Sequence, residues 1–108
     1  MEEKKPVRLV LVTCPPEKAA EIAETLVGER LAACANIVPG LSSVYWWEGK
    51  VQKDPESLLL LKTRADLVDR LRERVQAIHP YSVPEVLTFA VAEGLPAYLD
   101  WVRQSTVP

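Results

Sequence analysis

Residues Val7 to Thr13 form a short, nearly unbroken apolar run rich in Val and Leu, which predicts a buried strand. Pro15, Pro16 and Glu17 then make a good helix start, because proline fits the first turn and an acid complements the helix dipole. Ala19, Ile22, Ala23 and Leu26 recur at helical spacing, so the helix is expected to reach Leu31, weakened at Gly28. From Asn36 to Thr63 the period changes to that of extended chain. Ile37-Val38, Val44 to Trp47, Val51 and Leu58 to Leu61 read as two arms joined by a turn at Glu48-Gly49-Lys50. Pro39-Gly40 predicts a bend or bulge in the first arm, and Asp54-Pro55 a break in the second. Thr63-Arg64-Ala65-Asp66 is a capping-box pattern that opens a second helix, with Leu67, Val68, Leu71, Val75 and Ile78 on one face. Pro80 ends it and leaves His79 at the last turn. Glu85 to Ala92 is expected to be a strand entered from Pro84, and Leu95 to Arg103 a short terminal helix after Gly94.

The order is strand, helix, strand, strand, helix, strand, helix. It predicts an α+β fold of the ferredoxin-like α/β sandwich type, a βαββαβ antiparallel sheet with two helices on one face plus a short C-terminal helix. A chain of 108 residues suits a single domain covering residues 1–108.

Composition narrows the function classes. The chain is 48% hydrophobic and 26% charged, which suits a soluble fold with a real core. A net charge of −2 gives no bulk attraction for nucleic acid. The longest apolar runs, Leu9 to Val12 and Leu58 to Leu61, fall far short of the roughly 20 residues of a spanning helix. The start Met-Glu-Glu-Lys-Lys-Pro has no secretory-signal pattern, so the expected location is cytoplasmic, with Cys14 and Cys34 as reduced thiols.

Three constellations carry candidate chemistry. Tyr45, Trp46 and Trp47 are consecutive in a strand, and successive side chains point to opposite faces. Both tryptophans therefore cannot face the protomer's own helices, and a contact with another subunit is expected to bury one of them. The lone histidine lies in Ile78-His79-Pro80-Tyr81-Ser82-Val83-Pro84-Glu85-Val86. It reads either as a cap on the second helix or as a metal ligand with Tyr81, Glu85 or a thiol, although the spacing fits no zinc pattern. Cys14 precedes a helix start, where the dipole would lower a thiol pKa, and Cys34 among alanines reads as a small buried hydrophobe. No phosphate-cradling glycine loop and no nucleophile-elbow serine occurs, so no enzyme activity is expected.

Taken together, "LVGERLAACANIVPG" from Leu26, "SVYWWEGKV" from Ser43, "LLLLKTRAD" from Leu58, "IHPYSVPEV" from Ile78 and "YLDW" from Tyr98 resemble the CutA family of divalent-cation tolerance proteins. The resemblance runs from about Leu11 to Trp101 and implies a tight homotrimer in which the long strand pair of each subunit extends a neighbour's sheet. It places Tyr45, Trp46 and Trp47 at the trimer interface. It implies a role in tolerance of copper and other divalent cations, with no obligatory cofactor. The metal candidates are His79, Cys14, Glu85 and Cys34. Members credited with copper binding carry a cysteine at the position of Val12 and a second histidine at that of Ile78, both apolar here. Cys14, two residues beyond Val12 on the same strand face, is the candidate substitute. The architecture is also similar to that of trimeric PII signalling proteins. That likeness implies a cleft between subunits, lined by Tyr81, Glu85 and Lys62, for a small organic effector.

Overall fold

Alternation along the strands decides which side of the sheet is covered. In the computed structural model, which describes residues 4–108, β1 (Val7–Cys14), β2 (Cys34–Trp47), β3 (Lys50–Arg64) and β4 (Val86–Ala90) form one antiparallel sheet in the order β2-β3-β1-β4. Val10, Val12 and Cys14 of β1 and Leu59 and Leu61 of β3 face one side. There they pack with Ile22 and Leu26 of α1 (Ala19–Gly28) and Leu71 and Val75 of α2 (Val68–Ile78). The βαββαβ order and the two helices on one face are those expected from sequence. A smaller cluster of Val7, Ala33 and Val102 seats α3 (Pro96–Gln104). No described helix is long and apolar enough to cross a membrane.

No described element covers the opposite face. It carries Leu9, Leu11, Leu58 and Leu60 with Leu87 and Phe89, the last two 50% and 47% exposed. β1 is thus buried on one face only, which corrects the expectation of a strand buried throughout. Every second residue of its apolar run meets this bare side.

α1 ends at Gly28 rather than Leu31. The Arg30 N–H donates to the Val27 carbonyl at 2.9 Å and the Leu31 N–H to the Leu26 carbonyl at 3.0 Å, the bond pattern of a Schellman cap. Arg30 occupies the left-handed position, φ 58°, where glycine is usual. Its guanidinium donates to the carbonyls of Gln104, Ser105 and Thr106 at 3.2–3.4 Å and so clamps the end of α3, a contact glycine could not make. The expected capping box does not form either. Thr63 is a core-facing strand residue, and its hydroxyl donates to the Leu31 carbonyl at 2.7 Å, while Asp66 accepts from Arg64 and Lys5 instead.

Strands β2 and β3 run past the rest of the sheet as an arm, and the molecule measures 54 × 25 × 22 Å. Asp54-Pro55 does not break it. Before Ser57 the strand has no β1 partner, so this half of β3 is paired on one side only, and a residue without an N–H is tolerated there. Glu48 and Gly49, with φ of 51° and 78°, close the arm in the left-handed geometry of a two-residue hairpin turn. The bulge expected at Pro39-Gly40 is present. Pairing jumps from Val38–Leu58 to Leu41–Glu56, with Gly40 at φ 81°. No atom lies within 4 Å of a Cβ at Gly40, so Gly40→Ala tests backbone strain alone. It is expected to cost about 1 kcal/mol in urea unfolding, and an unchanged midpoint would show that the bulge relaxes.

Candidate functional site

His79 caps α2, its N–H donating to the Val75 carbonyl at 2.8 Å. The ring is buried against the end of β1. Nδ1 accepts the Tyr81 N–H at 3.1 Å, so Nε2 carries the proton and donates it to the Thr13 carbonyl at 2.8 Å. Nε2 therefore pins the 79–85 loop to the sheet, and Nδ1 fixes the turn within the loop. Tyr81 lies beside the ring, centroids 4.7 Å apart, and its hydroxyl donates to Glu56 Oε2 at 3.1 Å. Glu85 at the far end of the loop accepts the Thr13 hydroxyl at 3.5 Å.

From this loop along one face of the arm runs a groove of about 490 Å³, lined among others by Thr13, Tyr45, Trp47, Glu56, Tyr81 and Glu85. That is the size of a small-molecule site. Burial, followed by the charge of Glu56, pushes the Tyr81 phenol up to about 12, so it stays a neutral donor. The Tyr45 phenol is also raised, first by its hydrogen bond to Asp54.

Glu56 is the residue that pattern reading missed. It is only 7% exposed, and its Oε1 takes no hydrogen bond from a described residue. In sequence it is one acid in a stretch that reads as a strand break. Only the bulge, which sets Glu56 opposite Leu41, and the folded-back loop that brings Tyr81 over it reveal its place.

The four metal candidates do not converge. Cys14 emerges on the same face as Val12, as expected, but in the core. Burial, then Glu56 and Glu17, pushes its thiol up to about 11, which reverses the expected lowering by the helix dipole. Desolvation dominates because the sulfur is sealed beneath the helices. Cys34 sits half-buried on the opposite face, its sulfur 3.7 Å from Lys62 Nζ, not buried as expected. Glu85 is at the groove. No group of three or more His, Cys, Asp or Glu side chains that could hold a metal ion occurs among the described residues. The donor set thus does not fit a bound divalent ion within one protomer. Lys62 stands apart from Tyr81 and Glu85. It pairs across the sheet with Leu9 and Cys34 and contacts Asn36, four residues along β3 from the partner of Thr13.

Tyr45, Trp46 and Trp47 lie near the tip of the arm, 41%, 71% and 45% exposed. Trp47 and Tyr45 share one face and border the groove, and Trp46 points to the other. Neither tryptophan is packed into the protomer's core.

Residues 8–105 match the family described as "CutA1 divalent ion tolerance protein". The chain is 54% identical to "Divalent-cation tolerance protein CutA" of Thermus thermophilus over 91% of this chain and 96% of that one. It is 51% identical to "Protein CutA 1, chloroplastic" of rice, over 94% of this chain but 58% of the longer rice protein. A crystal structure of CutA1 from rice superposes with a TM-score of 0.93 at 50% identity, covering 95% of each chain. A "PII-like protein CutA" from Nostoc superposes with a TM-score of 0.88 at 34% identity, covering 93% of this chain and 97% of that one.

Proposed function

The chain belongs to the CutA1 divalent ion tolerance family, and from that premise we propose that it serves divalent-cation tolerance as a non-enzymatic, cytoplasmic homotrimer that binds a small effector. The effector site is the groove along the arm, and metal ions act through the response rather than by coordination at His79. The observation that carries this reading is the groove itself. A cavity of about 490 Å³ holds a buried carboxylate whose Oε1 lacks a partner among the described residues, under a tyrosine fixed in place from the other side. Copper binding through His79, Cys14, Glu85 and Cys34 has less support, since the ring nitrogens are engaged and the thiols lie on opposite faces of the sheet. Trimer formation draws support from the bare apolar face and from the exposed aromatic residues at the arm tip.

Thermal-shift measurement against a panel of small metabolites tests the groove. A ligand selective for the folded state raises Tm, and Ser43→Trp, which fills the groove wall, is expected to abolish that rise while leaving the unliganded Tm near wild type. A ligand that stabilises wild type and Ser43→Trp equally binds elsewhere and removes the groove from the function.

A further inference from the structure

The groove has a chemical bias that narrows its ligand. This inference rests on the effector reading above and specifies the ligand class. Glu56 and Glu85 both line the groove, and no Lys or Arg is among the lining residues. Asp54, adjacent along the same strand face, is engaged by the Tyr45 hydroxyl. Tyr45, Trp47 and Tyr81 supply three aromatic rings. Aromatic faces attract cations, and a carboxylate beside them strengthens that preference.

We propose that the groove is a site for a small organic ammonium cation, held between the aromatic side chains of Tyr45, Trp47 and Tyr81 and the carboxylates of Glu56 and Glu85. Glu56 is the anchor. Its Oε2 is occupied by the Tyr81 hydroxyl, which leaves Oε1, open to the groove and without a partner among the described residues, to meet an incoming positive charge. An anionic ligand would face two carboxylates with no counter-charge, and a neutral one would desolvate them without return. A bare divalent ion would need more converging donors than the groove's two carboxylates and its hydroxyls supply.

Calorimetric titration with choline, set against the uncharged alcohol of the same shape, tests the assignment. Wild type is expected to bind choline saturably and the alcohol at least about tenfold more weakly, the worth of one charge-assisted contact. Glu56→Gln and, separately, Glu85→Gln are expected to weaken choline by about tenfold, while Glu93→Gln, exposed and outside the groove, leaves it unchanged. Glu85→Gln keeps the test decisive should Glu56→Gln fail to fold. Absence of choline binding to wild type, equal binding of the alcohol, unchanged affinity in both groove variants, or zinc competing for the same carboxylates would each overturn the assignment. A neutral or anionic metabolite that raises Tm through the groove would overturn the ammonium class and leave the effector reading standing. If no metabolite of any charge acts there, both fall.

Discussion

On the proposed trimer, Leu60→Glu is expected to yield a soluble monomer without unfolding the protomer. Leu60 sits on the bare face of the sheet, opposite Leu11 on β1 and Asn36 on β2, where no described element of its own chain covers it. In an isolated protomer Leu60 is half-buried, so a glutamate there still reaches water and costs the fold less than a substitution in the core. In a trimer that buries this face, each protomer would bring an unpaired carboxylate into an apolar contact. Such burial costs several kcal/mol, and about 4 kcal/mol per interface weakens association roughly a thousandfold. The neighbouring side chain supplies the control. Leu61 is fully buried on the helix-covered face, so Leu61→Ala is expected to lose about 2–5 kcal/mol of protomer stability, since core cavities of this kind cost that much. One residue apart, the two substitutions act on different equilibria. Light scattering across a dilution series reads the first, and urea unfolding the second. Leu60→Glu that remains the size of wild type at low micromolar concentration would remove the bare face from any subunit contact.

That contrast also shows how much of the architecture is written locally. Strand and helix periods identify every main element, and the order alone implies the βαββαβ sheet. What periodicity does not contain is the number of layers. The apolar run Val7 to Thr13 looks the same whether a strand is covered on both sides or covered on one side and bare on the other. The boundaries fail where a tertiary contact overrides a local signal. Thr63 has capping chemistry but is drawn into the core to meet the Leu31 carbonyl, and Arg30 takes a glycine's conformation because its guanidinium closes the end of α3. The site follows the same rule. His79, Tyr81 and Glu85 are legible as a cluster because they are close in sequence. Glu56 and Thr13 join them only through β1–β3 pairing and the returning loop, which no local spacing encodes. Lys62 fails for the converse reason, since it shares the sheet with the site but is anchored further along β3 beside Cys34.

His79→Ala separates the structural from the metal role of the lone histidine, and its expected signature is a large loss of stability with no loss of copper or zinc affinity. A metal ligand needs a free lone pair. Here Nδ1 already accepts from the Tyr81 N–H and Nε2 carries the proton given to Thr13, so coordination would require breaking a bond on a ring that is only 7% exposed. Removing the ring leaves the Thr13 carbonyl without the imidazole donor and the Tyr81 N–H without its acceptor, and opens space beneath the loop. Two lost hydrogen bonds with partners left behind, plus a partial cavity, are expected to cost about 2–4 kcal/mol. The loss should fall on the 79–85 loop first, because the imidazole bridges it to β1. Tyr81 then loses its fixed approach to Glu56, and effector binding in the groove weakens with it. His79→Gln, whose amide is able to donate to the Thr13 carbonyl, is expected to recover part of the stability and part of the ligand affinity together. Urea unfolding and metal titration on the same preparations distinguish the two roles. A His79→Ala protein as stable as wild type but binding copper tenfold more weakly would make the ring a ligand and return the site to metal coordination.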